Sequence, residues 1–295
     1  MFVPYGESVP NLAGFTLLMP AVSVGNVGQL AIHLIISILN MCKIGYFYTD
    51  CLVLMVGNNP YAMSEDSTEL SINAEVYLLP SKKLVALQLR FIFIKYKSKP
   101  FCEKLISWVK NSNCAKVIVL SSSHSYYCND LQLLRYLLTS SMPKKKQGGC
   151  VQNKIKSLNW EEMEKSQCIP ETHDSEFCIH IPGGGIKKPL YDEGCSKEIP
   201  MAVLLKFVLE EDNIPDALGL VEYLNEWLQI IKPHLQCDYP TASAFPWKIS
   251  SSWRLLFGSS LPLVLFLSVF SLIPNVPRYL LLTQLLNTRI KSCII

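Results

Sequence analysis

The chain has 295 residues, 49% of them hydrophobic and 17% charged, enough apolar material for one large core and too little charge for a disordered segment of this length. Its net charge of +3 excludes a general electrostatic pull toward nucleic acid, which needs clustered Lys and Arg. The two short basic runs, Lys95-Tyr96-Lys97-Ser98-Lys99 and Lys144-Lys145-Lys146, read as solvated surface.

In chain order, the first signal is the apolar run from Gly14 to Val22, with a strand expected at Phe15 to Pro20. Asn26 with Gln29 three residues on is expected to cap a helix whose buried stripe is Val27, Leu30, Ala31, Leu34 and Ile38. A strand at Lys43 to Tyr48 completes a β-α-β unit. Strands are next expected at Glu75 to Leu79 and Leu84 to Phe93, joined by Pro80-Ser81-Lys82-Lys83 as an antiparallel hairpin. In the second of these, Val85, Leu87, Leu89, Phe91 and Phe93 face one way, and Gln88 and Arg90 the other.

A helix follows from Pro100 to Asn111 with a stripe of Phe101, Leu105, Trp108 and Val109. Val117 to Leu120 are apolar on both faces, so the strand Lys116 to Ser121 is expected at the centre of the sheet. Weak helical periodicity at Leu131 to Leu138, a helix at Asn153 to Glu164 and strands at Phe177 to Ile181 and Ala202 to Leu209 come next. The last helix opens near Pro215 and presents Ala217, Leu220, Val221, Leu224, Trp227, Leu228 and Ile231 inward, with Asp216, Glu222, Asn225 and Glu226 outward, until Pro233. Seven strands alternating with helices predict a three-layer α/β/α sandwich around a mixed, mainly parallel sheet.

The eleven cysteines are an odd number without a Cys-x-x-Cys pair, no Asn-x-Ser/Thr sequon occurs, and no Lys or Arg appears in the first forty-two residues. These features argue against a secretory leader and for free thiols in a reducing compartment, cytosolic or nuclear. Cys42, Cys102 and Cys114 are expected as buried apolar filler.

Four constellations could carry chemistry. Gly25-Asn26-Val27-Gly28 opens a helix after a strand but lacks the G-x-G-x-x-G spacing, and reads as a helix-entry turn. Gly183-Gly184-Gly185 could expose backbone N–H groups to an anion, yet no P-loop Lys-Ser or Lys-Thr follows, and a tight strand-to-helix turn fits better. Ser121-Ser122-Ser123-His124 ends a buried strand without a G-x-S-x-G elbow and reads as a loop with capping hydroxyls. Cys168, His173, Cys178 and His180 are zinc-type ligands at spacings that match no finger. Neither a catalytic set, a cofactor nor a metal is expected.

The opening β-α-β residues, together with STELSINAEVYLLP at Ser67 to Pro80, FIKYKSKPFCEKLISWVK at Phe93 to Lys110, IPGGGIKKPLYDE at Ile181 to Glu193 and NIPDALGLVEYLNEWLQIIKP at Asn213 to Pro233, closely resemble the family of proteasome assembly chaperone 2. The resemblance runs from Met1 to about Phe266, with local departures at Tyr127 to Arg135 and Lys144 to Gly149. It implies a fold related to that of nucleoside phosphorylases and a scaffold without turnover. It also implies pairing with proteasome assembly chaperone 1, the pair helping the α subunits of the 20S proteasome to close into a ring.

The expected organisation is an α/β domain at 1–231, a linker at 232–247, an apolar tail at 248–266 and a hydrophobic extension at 267–295. In the family such tails are thought to dock between neighbouring α subunits, which singles out Trp253, Leu255, Leu256, Phe257, Leu265 and Phe266. Phe266 is here followed by further residues, so the free carboxylate expected at that point is absent, which puts this docking in question. A second candidate contact is the turn-rich loop containing Asn59, Pro60 and Tyr61. Two rival functions stand beside the chaperone: a tail-anchored membrane protein, through the uncharged stretch Leu255 to Pro277, and a nucleoside or phosphate-ester enzyme using the Gly25 and Gly183 turns. Gly258, Pro262 and Pro274 interrupt the helix that a bilayer would require, so a membrane location is not expected.

Overall fold

The structure, a computed structural model, describes residues 2–6, 10–62, 68–127, 133–142, 155, 157–163, 183–209 and 212–232. Strand β1 (Phe2–Pro4) is followed by β2 (Thr16–Pro20), a 3-10 turn at Val24–Asn26, helix α1 (Val27–Ile38) and β3 (Cys42–Phe47). Asn26 stands at the helix entry but does not cap it: its backbone is left-handed (φ 54°) and its side chain makes no hydrogen bond to the first turn. The neighbouring Gly25 (φ 67°) sets the entry angle.

A two-stranded ribbon, β4 (Val56–Asn58) with β5 (Leu70–Ile72), precedes the expected hairpin of β6 (Ala74–Leu79) and β7 (Leu84–Leu89), whose register pairs Leu79 with Leu84 and Ala74 with Leu89. Helix α2 (Ser98–Asn111) leads into β8 (Lys116–His124), and β9 (Leu134–Leu138) and β10 (Glu161–Glu162) follow. Helix α3 (Lys187–Ser196), β11 (Met201–Val208) and α4 (Ile214–Leu228) complete the described chain.

Nine strands form one sheet in the order β1-β3-β6-β7-β2-β8-β11-β9-β10. Its centre, β7-β2-β8-β11, is parallel, and antiparallel pairs flank it: β11 with β9 on one side, and the meander of β7, β6, β3 and β1 on the other. The sheet is thus mixed, with more antiparallel pairing than the single expected hairpin. The β-α-β unit is present, with the β6–β7 hairpin inserted between its two strands.

Helices cover both faces. One layer holds α1 and α4 over Leu18, Ala86, Ile118, Ala202 and Leu204; the other packs Phe101, Leu105, Ile106 and Leu190 of α2 and α3 against Leu17, Val85, Val117 and Val203. Strand β8 is central, as its apolar start Val117 to Leu120 predicts, but Ser121–His124, expected as a loop with capping hydroxyls, continue the strand because they pair with Leu205 to Val208 of β11, and no solvent face remains from Val117 to Ser123. Helix α1 is buried from Val27 to Ile36: β2, β7 and β8 lie beneath it, α4 packs against it, and the Tyr61 ring lies against His33. A Cβ on Gly28 would strike the carbonyl of Leu120, so glycine is what lets α1 lie this close to β8. Burying Trp227 of α4 contributes about 2–3 kcal/mol, and Lys116 sits 5.0 Å over its ring.

Several expectations need correction. Leu134–Leu138 is a strand, because a five-residue apolar run satisfies either period and the open edge of β11 supplies pairing partners. The helix expected over Asn153 to Glu164 is broken: Ile155 and Ser157 are helical, Asn159 turns left-handed (φ 54°), and Glu161 and Glu162 pair with Arg135 and Tyr136. Cys42 is exposed and Cys114 half-buried, whereas Cys102 is buried and its thiol is pushed up to about 12 by that burial. Helix α4 ends at Leu228, ahead of Pro233, through a left-handed Gln229. Asn225, expected outward, secures that end: its amide donates to the Ile231 carbonyl (2.9 Å) and its Oδ1 accepts from the Ile231 N–H (2.7 Å). The expected strand Phe177 to Ile181 lies outside the described residues.

A buried ion cluster ties the meander to the β4–β5 ribbon. Glu75 accepts from Lys43 (3.0 Å), Arg90 (3.0 Å), the Tyr77 hydroxyl (2.8 Å) and the Ile72 N–H (3.3 Å). Burial alone would raise its carboxyl, but Arg90, Lys43 and Tyr77 override that and hold it below its ordinary value. The stabilisation is therefore present above the carboxylate's unfolded value and lost as pH falls through the folded one. Glu75→Gln leaves two cations without their counter-ion and should cost about 3–5 kcal/mol. It should also flatten the acid limb of a urea-midpoint against pH curve; an unchanged limb contradicts this account.

Lys187 presents the opposite case. Its side chain is buried, with the Met163 sulfur at 3.8 Å as its hydrogen-bond partner, and burial lowers the amine from 10.5 to about 8. Between those values the unfolded chain binds more protons, so stability rises with pH across that window; below about 8 the penalty is fully present. Lys187→Met should stabilise the fold at pH 7 by roughly 1–3 kcal/mol. That advantage should shrink by pH 10, as the difference between the urea midpoints of the two proteins will show.

Candidate functional site

In parallel α/β sheets, ligands bind at the carboxyl ends of the strands, where the loops diverge. Here that end is formed by the loops after β2 and β8 and by the glycine turn before α3, and it gathers three of the sequence features singled out above. Ser122 donates its hydroxyl proton to the Val24 carbonyl (2.5 Å), and the Ser122 N–H donates to Ser23 Oγ (2.9 Å). Ser23 and Ser122 hydroxyls lie 2.7 Å apart; since Ser122 is committed to Val24, Ser23 is the donor of this pair. Ser121 donates to the Gly184 carbonyl (3.3 Å). All three hydroxyls are buried, and their hydrogen bonds hold one loop to another.

The glycine turn is locked in the same way. Val24 N–H donates to Gly183 O (2.9 Å) and Ile186 N–H to Ala21 O (2.8 Å). Gly185 (φ 59°) has its Cα against the Ala21 and Val22 carbonyls, so the space a side chain would take is filled by backbone. A Cβ on Gly183 would meet the His124 ring at 3.2 Å, and one on Gly25 the Asn213 amide at 2.7 Å. His124 itself stacks on Tyr126, with ring centroids 4.8 Å apart. Val22 adopts a left-handed φ of 51°, a conformation that costs a β-branched residue on the order of 1–3 kcal/mol. The glycines of this crevice therefore admit close approach of protein to protein, and what would be a phosphate cradle in a nucleotide-binding fold is occupied by the chain's own loops.

Elsewhere, the structure gives the loop residues a structural part. Asn59 Nδ2 donates to Glu69 (2.7 Å), and its Oδ1 accepts from the Tyr61 N–H (3.1 Å). Pro60 is half-exposed, whereas the Tyr61 ring turns inward between His33 (4.6 Å) and Tyr77 (5.3 Å), with the Arg90 guanidinium 5.3 Å from its centroid. His33 is lowered to about 3 by burial and by Arg90, so it is neutral at pH 7. Trp253, Leu255, Leu256, Phe257, Leu265 and Phe266 lie outside the described residues, as do Cys168, His173, Cys178, His180 and the stretch from Leu255 to Pro277. Among the described residues no group of three His, Cys, Asp or Glu could hold a metal, and no helix is long and apolar enough to cross a membrane.

Sequence reasoning missed an apolar ribbon at the same end of the sheet. Leu52 and Phe93 pair across an antiparallel bridge, Val53 N–H donates to Ile92 O (3.2 Å) and Ile94 N–H to Cys51 O (2.8 Å). The inward alternates Leu52 and Phe93 join the core, and the outward ones, Val53, Ile92 and Ile94, are aliphatic in solvent. The available signal was Phe91-Ile92-Phe93-Ile94, where both parities of one segment are apolar and, among the described residues, Ile92 and Ile94 are exposed.

If the crevice is sealed by backbone, Gly185→Ala should lower stability by at least about 2 kcal/mol. Gly6→Ala, which meets nothing within 4 Å, should be near neutral. Equal urea midpoints for Gly185→Ala and the parent chain would show that the crevice has room to spare.

The chain matches the PAC2 family over residues 17–234. It is 79% identical over 271 residues to proteasome assembly chaperone 2 of Homo sapiens and 78% identical over 271 residues to that of Bos taurus, in each case across 90% of this chain and 100% of the relative. The relative from Nematostella vectensis is 39% identical over 241 residues, covering 78% of this chain and 96% of its own. Among solved structures, Pyrococcus furiosus PbaA, described as an archaeal homolog of proteasome-assembly chaperone, superposes with a TM-score of 0.55 at 16% identity, over 78% of this chain and 86% of that one. Pyrococcus furiosus PbaB, described as an archaeal proteasome activator, gives 0.53 at 14% identity, over 81% and 90%. The two archaeal likenesses concern the fold alone. With the family matched over residues 17–234 and this identity along the whole length of its relatives, the chain belongs to the PAC2 family.

Proposed function

We propose that this protein is a proteasome assembly chaperone that pairs with proteasome assembly chaperone 1 and promotes closure of the 20S proteasome α-ring, through contact surfaces and without turnover, in the cytoplasm and nucleus. The observation that carries the reading is 79% identity across the full length of a protein named proteasome assembly chaperone 2. The internal use of the Ser23, Ser121 and Ser122 hydroxyls and of the Gly183–Gly185 turn supports it, because the residues that invite an enzymatic reading have structural work to do. Within this proposal, Trp253, Leu255, Leu256, Phe257, Leu265 and Phe266 order on a groove between α subunits, an apolar segment docking on a pre-shaped surface.

Phe266 is followed by Leu267, so the charge that a terminal carboxylate would bring to such a groove is replaced by a neutral peptide bond. Cutting the chain after Phe266 restores that carboxylate. Affinity capture from cells should recover α-subunit intermediates with the full chain and several-fold more with the truncated one. Failure of both forms to recover any proteasome precursor would contradict the proposal.

A further inference from the structure

The outward face of the ribbon and the neighbouring β4–β5 strands form one apolar surface. Val53, Ile92 and Ile94 project from the ribbon, Leu54 extends it at 85% exposure, and Val56 and Leu70 stand on the solvent side of the paired strands while Ser71 between them points inward. The two parts are joined: Asn73 donates to the Val53 carbonyl (3.0 Å), and Lys43 donates to Leu70 O (3.1 Å) and to Glu75 (3.0 Å). The buried ion cluster therefore holds the surface in a fixed shape. Outward positions of a half-buried strand are ordinarily polar, and a clustered aliphatic set in their place marks a contact surface.

Charge selects its occupant. Lys95 follows Ile94 directly and Lys99 stands in the first turn of α2, and neither joins an ion pair among the described residues; Lys95 lies over the exposed Tyr96 ring at 5.1 Å, and Lys97 between them is held by Asp50 at 2.7 Å. The chain's own C-terminal segment is excluded as occupant: after Asp238 it has no Asp or Glu and carries Lys248, Arg254, Arg278, Arg289 and Lys291. A second copy is disfavoured too: the exposed carboxylates on this side, Asp50 and Glu69, are already engaged by Lys97, Lys104 and Asn59, so a two-fold contact would bring in the lysines with no carboxylate set aside to meet them.

From this we infer that the surface formed by Val53, Leu54, Val56, Leu70, Ile92 and Ile94 receives a different folded subunit, one whose contact face has an aliphatic centre and a carboxylate rim beside Lys95 and Lys99. The inference rests on the pairing reading above and deepens it, by assigning the partner chaperone to this face. The aliphatic centre supplies the affinity, and the lysines set register and speed association.

The test uses the full chain with the partner chaperone named above, binding being measured by titration calorimetry at two salt concentrations. Leu54→Asp with Ile92→Asp should weaken pairing at least tenfold, with unaltered far-ultraviolet circular dichroism. Lys95→Glu with Lys99→Glu should weaken it several-fold and reduce its salt dependence, and this pair of surface changes serves even if the first variant folds poorly. Amide exchange over 51–56 and 90–96 should slow in the complex. Parental affinity in both variants, or exchange there unchanged by the partner, overturns the assignment of this face while leaving the pairing intact. If the parent chain itself forms no complex with the partner, the functional proposal falls, and this inference with it.

Discussion

The constraint on which the rest depends is the burial of the parallel centre on both faces. Strands β7, β2, β8 and β11 expose almost no side chain to water, so the sheet exists only with α1 and α4 on one face and α2 and α3 on the other. Burial on that scale leaves the carboxyl ends of the strands as the place where loops must satisfy backbone groups without water. Ala21, Val24 and Ile186 do so by exchanging hydrogen bonds with Leu120, Gly183 and Ala21, and Ser23 and Ser122 complete the seal. The position that many α/β enzymes keep for substrate is here a junction between loops.

The proposed contact surface lies outside the crevice. The same sheet end carries the Leu52–Phe93 bridge, whose outer alternates are aliphatic, and the Glu75 cluster fixes the ribbon beside it. A rigid, pre-shaped apolar face loses little conformational entropy on association, which is what a scaffold that captures other subunits requires. Under the proposed assignment of that face, Glu75 would bear on function at one remove, since its partners Lys43 and Arg90, with the Tyr61 ring beneath the guanidinium, brace the neighbouring loops.

Much of the fold was legible because its signals are local. The apolar run before Gly25, the stripe of α4 from Ala217 to Trp227 and the four-residue hairpin link at Pro80 each state their structure in a single window. What failed to read was decided at long range. Leu134–Leu138 became a strand because β11 offered an edge, and Asn225 turned from the solvent to the Ile231 backbone because the helix had to stop. The glycines of the crevice were taken as turns, yet the reason for glycine there lies far off in the chain, as with Gly185 against Ala21 and Val22, more than 150 positions away. The apolar ribbon was hidden because Phe91 to Ile94 reads as the buried end of one strand, whereas Ile92 and Ile94 face solvent across from Val53.

The central claim is that this folded body works through surfaces offered to other polypeptides, its crevice being closed by its own loops. Native mass spectrometry of the chain captured gently from cells tests this most directly. The account predicts masses that correspond to the chain joined to a second chaperone subunit and to proteasome α subunits, with no small ligand retained. A chain that carries a bound phosphorylated metabolite, and no protein partner, would contradict it.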